Sequence, residues 1–152
     1  MKTMKSIPGK QKGFTLVELI VVLVIGAVVI LFATQQINRA RSSSAETQLI
    51  NEVSVLRVGA NNWKGTRPNY SGVACDDLVT DEYVEVPWTN CTGVNPQGGN
   101  YTVAANSSNS SDLTITATGL GETFCNRVAR SLEPNTISAS CSGGTLTASF
   151  RG

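Results

Sequence analysis

The sequence predicts an α+β protein. A long N-terminal helix has a membrane-spanning first half and a second half packed on an antiparallel sheet of about four strands. A short second helix follows near residues 122–132. Three observations carry this prediction. An apolar run extends from Phe14 to Ala33 and continues into a helix-compatible stretch, four segments of the C-terminal third alternate apolar and polar residues, and four cysteines all lie beyond the apolar run. With 152 residues there is room for about one domain. The roughly 120 residues after the apolar run make a small head that gains from covalent staples.

The first element is the apolar run. Lys2, Lys5, Lys10 and Lys12 precede it, a distribution that places the N-terminus on the cytoplasmic side. Phe14 to Ala33 spans roughly 30 Å as a helix, the thickness of a bilayer's hydrocarbon core. Glu18 interrupts this run, and a carboxylate at membrane depth costs about 2.5–3.5 kcal/mol on insertion scales, so it implies a partner. As an ordinary signal peptide the segment reads poorly. Leu31-Phe32-Ala33 is a weak small-x-small cleavage site, and Glu18 has no use in such a segment. Cleavage between Gly13 and Phe14 would instead create an α-amine four residues from Glu18. That cation and the carboxylate can pair between two helices displaced by about one turn, or within one chain.

The helix then becomes amphipathic over residues 36–64. Leu49, Val53, Leu56, Ala60 and Trp63 recur at spacings of four and three, which is one helical face, while Gln48, Glu52 and Arg57 face water or a neighbour. Ser43 and Glu46 have capping-box spacing, suited to restarting a helix after a break; a polar stretch leaving the membrane reads the same way. Gly59, Asn61, Asn62 and Gly65 weaken the helix, and Pro68 ends it.

From Thr66 to Gly99 the chain reads as irregular, punctuated by Pro68, Pro87, Pro96 and Gly98-Gly99. Cys75 and Cys91 bracket much of it. A disulfide closing a loop of that size is worth about 3 kcal/mol.

The sheet follows. Tyr101, Val103 and Ala105 share one face, as do Leu113, Ile115 and Ala117; Ile137, Ala139 and Cys141; and Leu146, Ala148 and Phe150. A polar turn at 106–111 joins the first pair, and Ser142-Gly143-Gly144 joins the last. Between the pairs, Phe124, Cys125, Val128, Ala129 and Leu132 occupy one helical face. Cys125 on that face and Cys141 on the inward strand face suit a helix-to-sheet staple, so sequential pairing is expected: Cys75 with Cys91, Cys125 with Cys141.

Composition narrows the function. With no histidine, a Ser-His or Cys-His nucleophile pair cannot be built, and paired cysteines leave no thiolate, so no enzyme is expected. The isolated cysteines suit an oxidising compartment better than a zinc site. No metal or other cofactor is expected. Twelve basic residues less the four leader lysines leave eight against eleven acids, so the exported part is mildly acidic and no nucleic-acid partner is indicated. Asp76, Asp77, Asp81, Glu82 and Glu85 form one acidic cluster. Its spacing is not that of an EF-hand; it suits a solvated surface or contact with Arg67, Arg127 or Arg130 of an adjacent subunit.

Lys12-Gly13-Phe14-Thr15-Leu16-Val17-Glu18, followed by the apolar run, resembles the prepilin cleavage and methylation motif of the type IV pilin family. The resemblance is strong over residues 1 to about 35 and rests on layout beyond. It implies a leader at 1–13, a hydrophobic helix at 14–35, its amphipathic continuation at 36–64 and a disulfide-stapled head at 65–152. It further implies cleavage after Gly13 and N-methylation of Phe14 by a prepilin peptidase, extraction from the inner membrane by an assembly platform and ATPase, and a homo-oligomeric helical filament. In that filament Glu18 neutralises a neighbour's N-terminus. Many relatives carry a proline within the helix, but none occurs here between Phe14 and Thr66. The clasped loop and C-terminal helix resemble the type IVb class, the short leader the type IVa class. The function expected is a major pilin of a surface pilus for adhesion, aggregation or motility. A pseudopilin of a type II secretion system is the alternative, and a secreted binding domain is a third.

Overall fold

The computed structural model describes residues 15–152, with the side chains of residues 33–40 left out. The chain divides into two compact units, Met1–Arg39 and Ala40–Gly152.

Within the first unit the described residues belong to helix α1 (Leu16–Lys64). Its start is set by Thr15, whose Oγ1 accepts a hydrogen bond from Glu18 N–H at 3.3 Å while its carbonyl accepts from Leu19 N–H at 3.1 Å. This is an N-cap, with Glu18 in the first turn where a negative charge meets the positive end of the helix dipole. No polar face follows: Leu16 to Phe32 is apolar all round apart from Glu18.

The second unit is built on the later turns of α1. Leu49, Val53, Leu56 and Ala60 are buried, as the four-and-three spacing predicts. The helix does not restart at Ser43: the Ser43 carbonyl accepts from Thr47 Oγ1, and Glu46 is engaged elsewhere. Gly65, at φ +47, terminates α1 by donating its N–H to Asn61 O at 3.0 Å, three residues before Pro68. Gly59 is more than a weak point, because a Cβ there would overlap Val84 Cγ1 and crowd the Tyr83 carbonyl. Two residues placed toward water or a neighbour by the sequence are in fact used inside the chain. Glu52 accepts a 2.5 Å hydrogen bond from Tyr101 Oη, and Arg57 lies 4.8 Å over the Phe150 ring.

The segment expected to be wholly irregular contains a six-residue helix, α2 (Cys75–Thr80), with Asp76 and Asp77 in its first turn and Cys75 and Leu78 buried. Then come β1 (Tyr101–Ala105), β2 (Leu113–Ala117), α3 (Glu122–Leu132), a 3₁₀ turn at Glu133–Asn135, β3 (Ser138–Ser142) and β4 (Thr145–Phe150). The four strands form one antiparallel sheet in the order β1-β2-β4-β3. Register places Val103 opposite Ile115 and Ile115 opposite Ala148, so one face is closed by α1 residues and by the buried stripe of α3. The expectation fails at one strand. Ile137 falls between the 3₁₀ turn and the start of β3 and is 49% exposed, and Ala139 and Cys141 are only half-buried, so the face sealed along β2 and β4 stays partly open at β3. Cys75 is bonded to Cys91 and Cys125 to Cys141, with Cα separations of 6.1 and 5.8 Å.

Candidate functional site

Two surfaces carry unusual chemistry, one in each unit. In the first, Gly13 and Phe14 lie outside the described residues, while Glu18 sits exposed in the first turn of α1. Among the described residues its carboxylate has no ion-pair partner. Thr15, not singled out from the sequence, fixes where the helix begins, and the signal was present as Thr-x-x-Glu just before an apolar run.

Around Glu18 the helix is apolar on every side. Fourteen large hydrophobic residues between Leu16 and Phe32 are exposed, from 46% at Val28 to 74% at Leu16. A surface of that extent is not left in water by a stable soluble protein and marks a membrane or protein contact. Among the described residues, no helix is long and apolar enough to cross a membrane. The helical stretch whose side chains are described, 16–32, gives about 26 Å of helix, short of a bilayer core.

The head carries the second surface. Trp88 stacks on Tyr101 with ring centroids 5.8 Å apart, and its Nε1 is buried with no hydrogen-bond partner. Beside it a groove of about 810 Å³ is lined by Val79, Val84, Val86 and Trp88, with Glu82 and Glu85 at its rim. Glu82 holds a left-handed backbone, φ 58. Of the acidic cluster, Asp76 accepts from Cys91 N–H at 2.8 Å, and Asp77, Asp81, Glu82 and Glu85 are exposed. Among the described residues no His, Cys, Asp or Glu side chains gather into a group able to hold a metal ion.

The three arginines expected to face this cluster across a subunit boundary differ in their surroundings. Arg127 pairs with Glu46 at 3.2 Å and donates to Ser42 Oγ at 2.6 Å, tying α3 to α1 within the head. Arg67 donates to the Trp63 carbonyl and covers the Trp63 ring at 4.3 Å. Arg130 remains exposed. Burial, together with the hydrogen bond to Glu52 and its charge, pushes the Tyr101 phenol well above its ordinary range, so it stays a proton donor to Glu52.

Comparison with curated proteins gives no match. Residues 8–34, which include Gly13, Phe14 and Glu18, match the family model described as the prokaryotic N-terminal methylation motif, and this supports a type IV pilin-like or pseudopilin subunit.

Proposed function

We propose that the protein is a structural subunit, a major pilin, that polymerises through its N-terminal helix into a type IV pilus. The single observation that carries this reading is an α1 surface apolar on all sides, beginning at a capped Glu18 inside the matched methylation motif. Prepilin peptidase removes residues 1–13 between Gly13 and Phe14 and methylates the Phe14 amine. The run from Phe14 to Ala33 holds the subunit in the inner membrane. An assembly platform and ATPase then transfer it to an extracellular filament, where the same surface becomes core and Glu18 meets a neighbour's N-terminus.

A pseudopilin of a type II secretion system has the same N-terminus. Two disulfides and an exposed Ser/Asn-rich turn at 106–111 favour an extracellular fibre. The head supports a type IVb-like class joined to a short leader of type IVa kind.

Intact-mass and N-terminal peptide spectrometry of the mature protein tests the reading. The expected chain starts at N-methylated Phe14 and gains the mass of four hydrogens on reduction; a chain starting after Ala33 would sink it. Electron microscopy of sheared cells separates pilus from pseudopilin. Glu18→Ala is expected to reduce assembled filament by about tenfold or more, since it leaves a buried amine unpaired, and normal yield with normal subunit stagger would remove Glu18 from assembly.

A further inference from the structure

The head's charges are segregated along the sequence, and the fold sets Glu82 and Glu85 on one groove and Arg57 and Arg151 on a second cleft. Between Arg67 and Arg127 there is no basic residue, while seven acids fall there: Asp76, Asp77, Asp81, Glu82, Glu85, Asp112 and Glu122. The rest of residues 40–152 holds seven basic residues against three acids, Glu46, Glu52 and Glu133, so the two parts carry −7 and +4. Among the described residues the single ion pair is Arg127 with Glu46, and the charges on both surfaces are otherwise left without a partner of opposite sign.

The acidic groove flanks edge strand β1: Tyr101 N–H donates to Cys91 O at 2.8 Å, and Trp88 stacks on Tyr101. A second cleft, of about 330 Å³, lies by the opposite edge strand, lined by Arg57, Asn135, Thr136, Ile137 and Arg151. Helix register separates them again. Gly59 faces Val84 beside the acidic groove, and Arg57, two residues earlier, lies about 200° around the helix in the basic cleft. Each surface mixes charged and apolar lining, Val84, Val86 and Trp88 beside Glu82 and Glu85 on one and Ile137 beside Arg57 and Arg151 on the other.

We propose that the acidic groove of one copy of this chain docks on the Arg57–Arg151 cleft of a second copy, as a head-to-tail contact. This rests on the filament reading and deepens it. Two different complementary patches on one subunit make a heterologous interface, which propagates into an open helical assembly where its rotation does not close. Opposite charge at the rims sets register and suppresses the reversed pairing, in which like charges meet.

Charge exchange in the full-length chain tests this in a host that assembles the wild type. Glu82→Lys with Glu85→Lys, and Arg57→Glu with Arg151→Glu, are each expected to lower sheared filament by about tenfold, and all four together to restore it to within about threefold. Arg151→Glu alone, at an exposed position, covers the case in which the Arg57 change perturbs packing on Phe150. A mature mass with both disulfides reports processing and folding apart from assembly. A photo-crosslinker at Ile137, used on filaments and on the detergent-solubilised chain, is expected to mark residues 79–89 of a second copy. Single-surface reversals that assemble normally, a four-fold variant no better than its parents, or crosslinks mapping elsewhere would overturn the contact. A wild type that is processed but forms no filament would overturn the filament reading instead, and the solubilised crosslink would still decide the contact.

Discussion

The turns of α1 from Leu16 to Phe32 and the head from Ala40 onward use apolar residues in opposite ways. In the head, Leu49, Leu56, Leu113, Ile115 and Leu146 are sealed at 0–1% exposure, and the buried polar residues Asn95 and Ser149 find partners inside the chain. Asn95, buried at 4%, accepts from Gln97 and Gly99 N–H and donates to the Thr118 carbonyl. From Leu16 to Phe32, residues of the same types are exposed among the described residues. Fully burying one such side chain is worth about 1.5–3 kcal/mol, so the first region gains its stabilisation from lipid or from other subunits, and the second has already obtained it by folding.

Core truncation breaks the comparison most sharply. Leu56→Ala is expected to destabilise the head by about 2–5 kcal/mol, through lost transfer energy and a residual cavity. The chemically identical Leu23→Ala, at a site 64% exposed, should leave thermal unfolding of the head unchanged. Circular dichroism melts of both variants in detergent check this, and equal losses would mean that the two regions unfold as one.

Next in size is the clasp. Cys75→Ser with Cys91→Ser opens the loop between α2 and β1 and should cost about 3 kcal/mol, lowering the melting temperature by roughly 10 °C. The loss should be concentrated in this segment, which Leu78 and Val84 still tie to the core. Hydrogen exchange should rise over residues 75–99 and stay low in β2 and β4.

Much of this was legible in the sequence where a period was long enough to register. The stripe Phe124, Cys125, Val128, Ala129 and Leu132 and the inward residues of β1, β2 and β4 are buried as alternation and helical spacing require, with Ala105 half-buried at the end of β1. α2 escaped because six residues give less than two turns, too few for periodicity to show. Ile137 misled because alternation says which residues share a face and not whether that face is covered, and Ile137 falls just before β3 begins. Asn95 lies in a Pro/Gly-rich stretch that reads as a solvated turn, yet its amide holds that turn against Thr118. At the N-terminus Glu18 was visible as a charge out of place, whereas Thr15 was hidden behind it. The acidic run could be read from neighbouring letters, but Arg57 and Arg151 lie far apart in the chain and only the fold brings them to one cleft.

Tyr101 gives a smaller and pH-dependent effect. Its phenol is held above the ordinary value of 10.0 in the folded head, so the folded state keeps a proton that the unfolded chain releases. The corresponding stability is fully present below pH of about 10 and is lost as pH rises beyond it. Tyr101→Phe should cost about 1.5 kcal/mol at neutral pH, for the bond to charged Glu52, and should flatten the alkaline loss. Denaturant titrations between neutral pH and pH of about 11 compare the two slopes; parallel curves would place the alkaline sensitivity elsewhere.

The smallest effect is expected at the ion pair between α3 and α1. Arg127 and Glu46 meet at 3.2 Å with side chains 42% and 22% exposed, so water screens the attraction and their ordering offsets part of it. Glu46→Gln should therefore cost under about 1 kcal/mol, less at high salt. Ser42 Oγ still accepts from Arg127, which keeps the guanidinium placed after the carboxylate is gone. A larger loss would mean that Glu46 does more than balance a charge. Its two oxygens already take Arg127 and Ser131 of the same helix, and the pair would then be setting where α3 lies on α1.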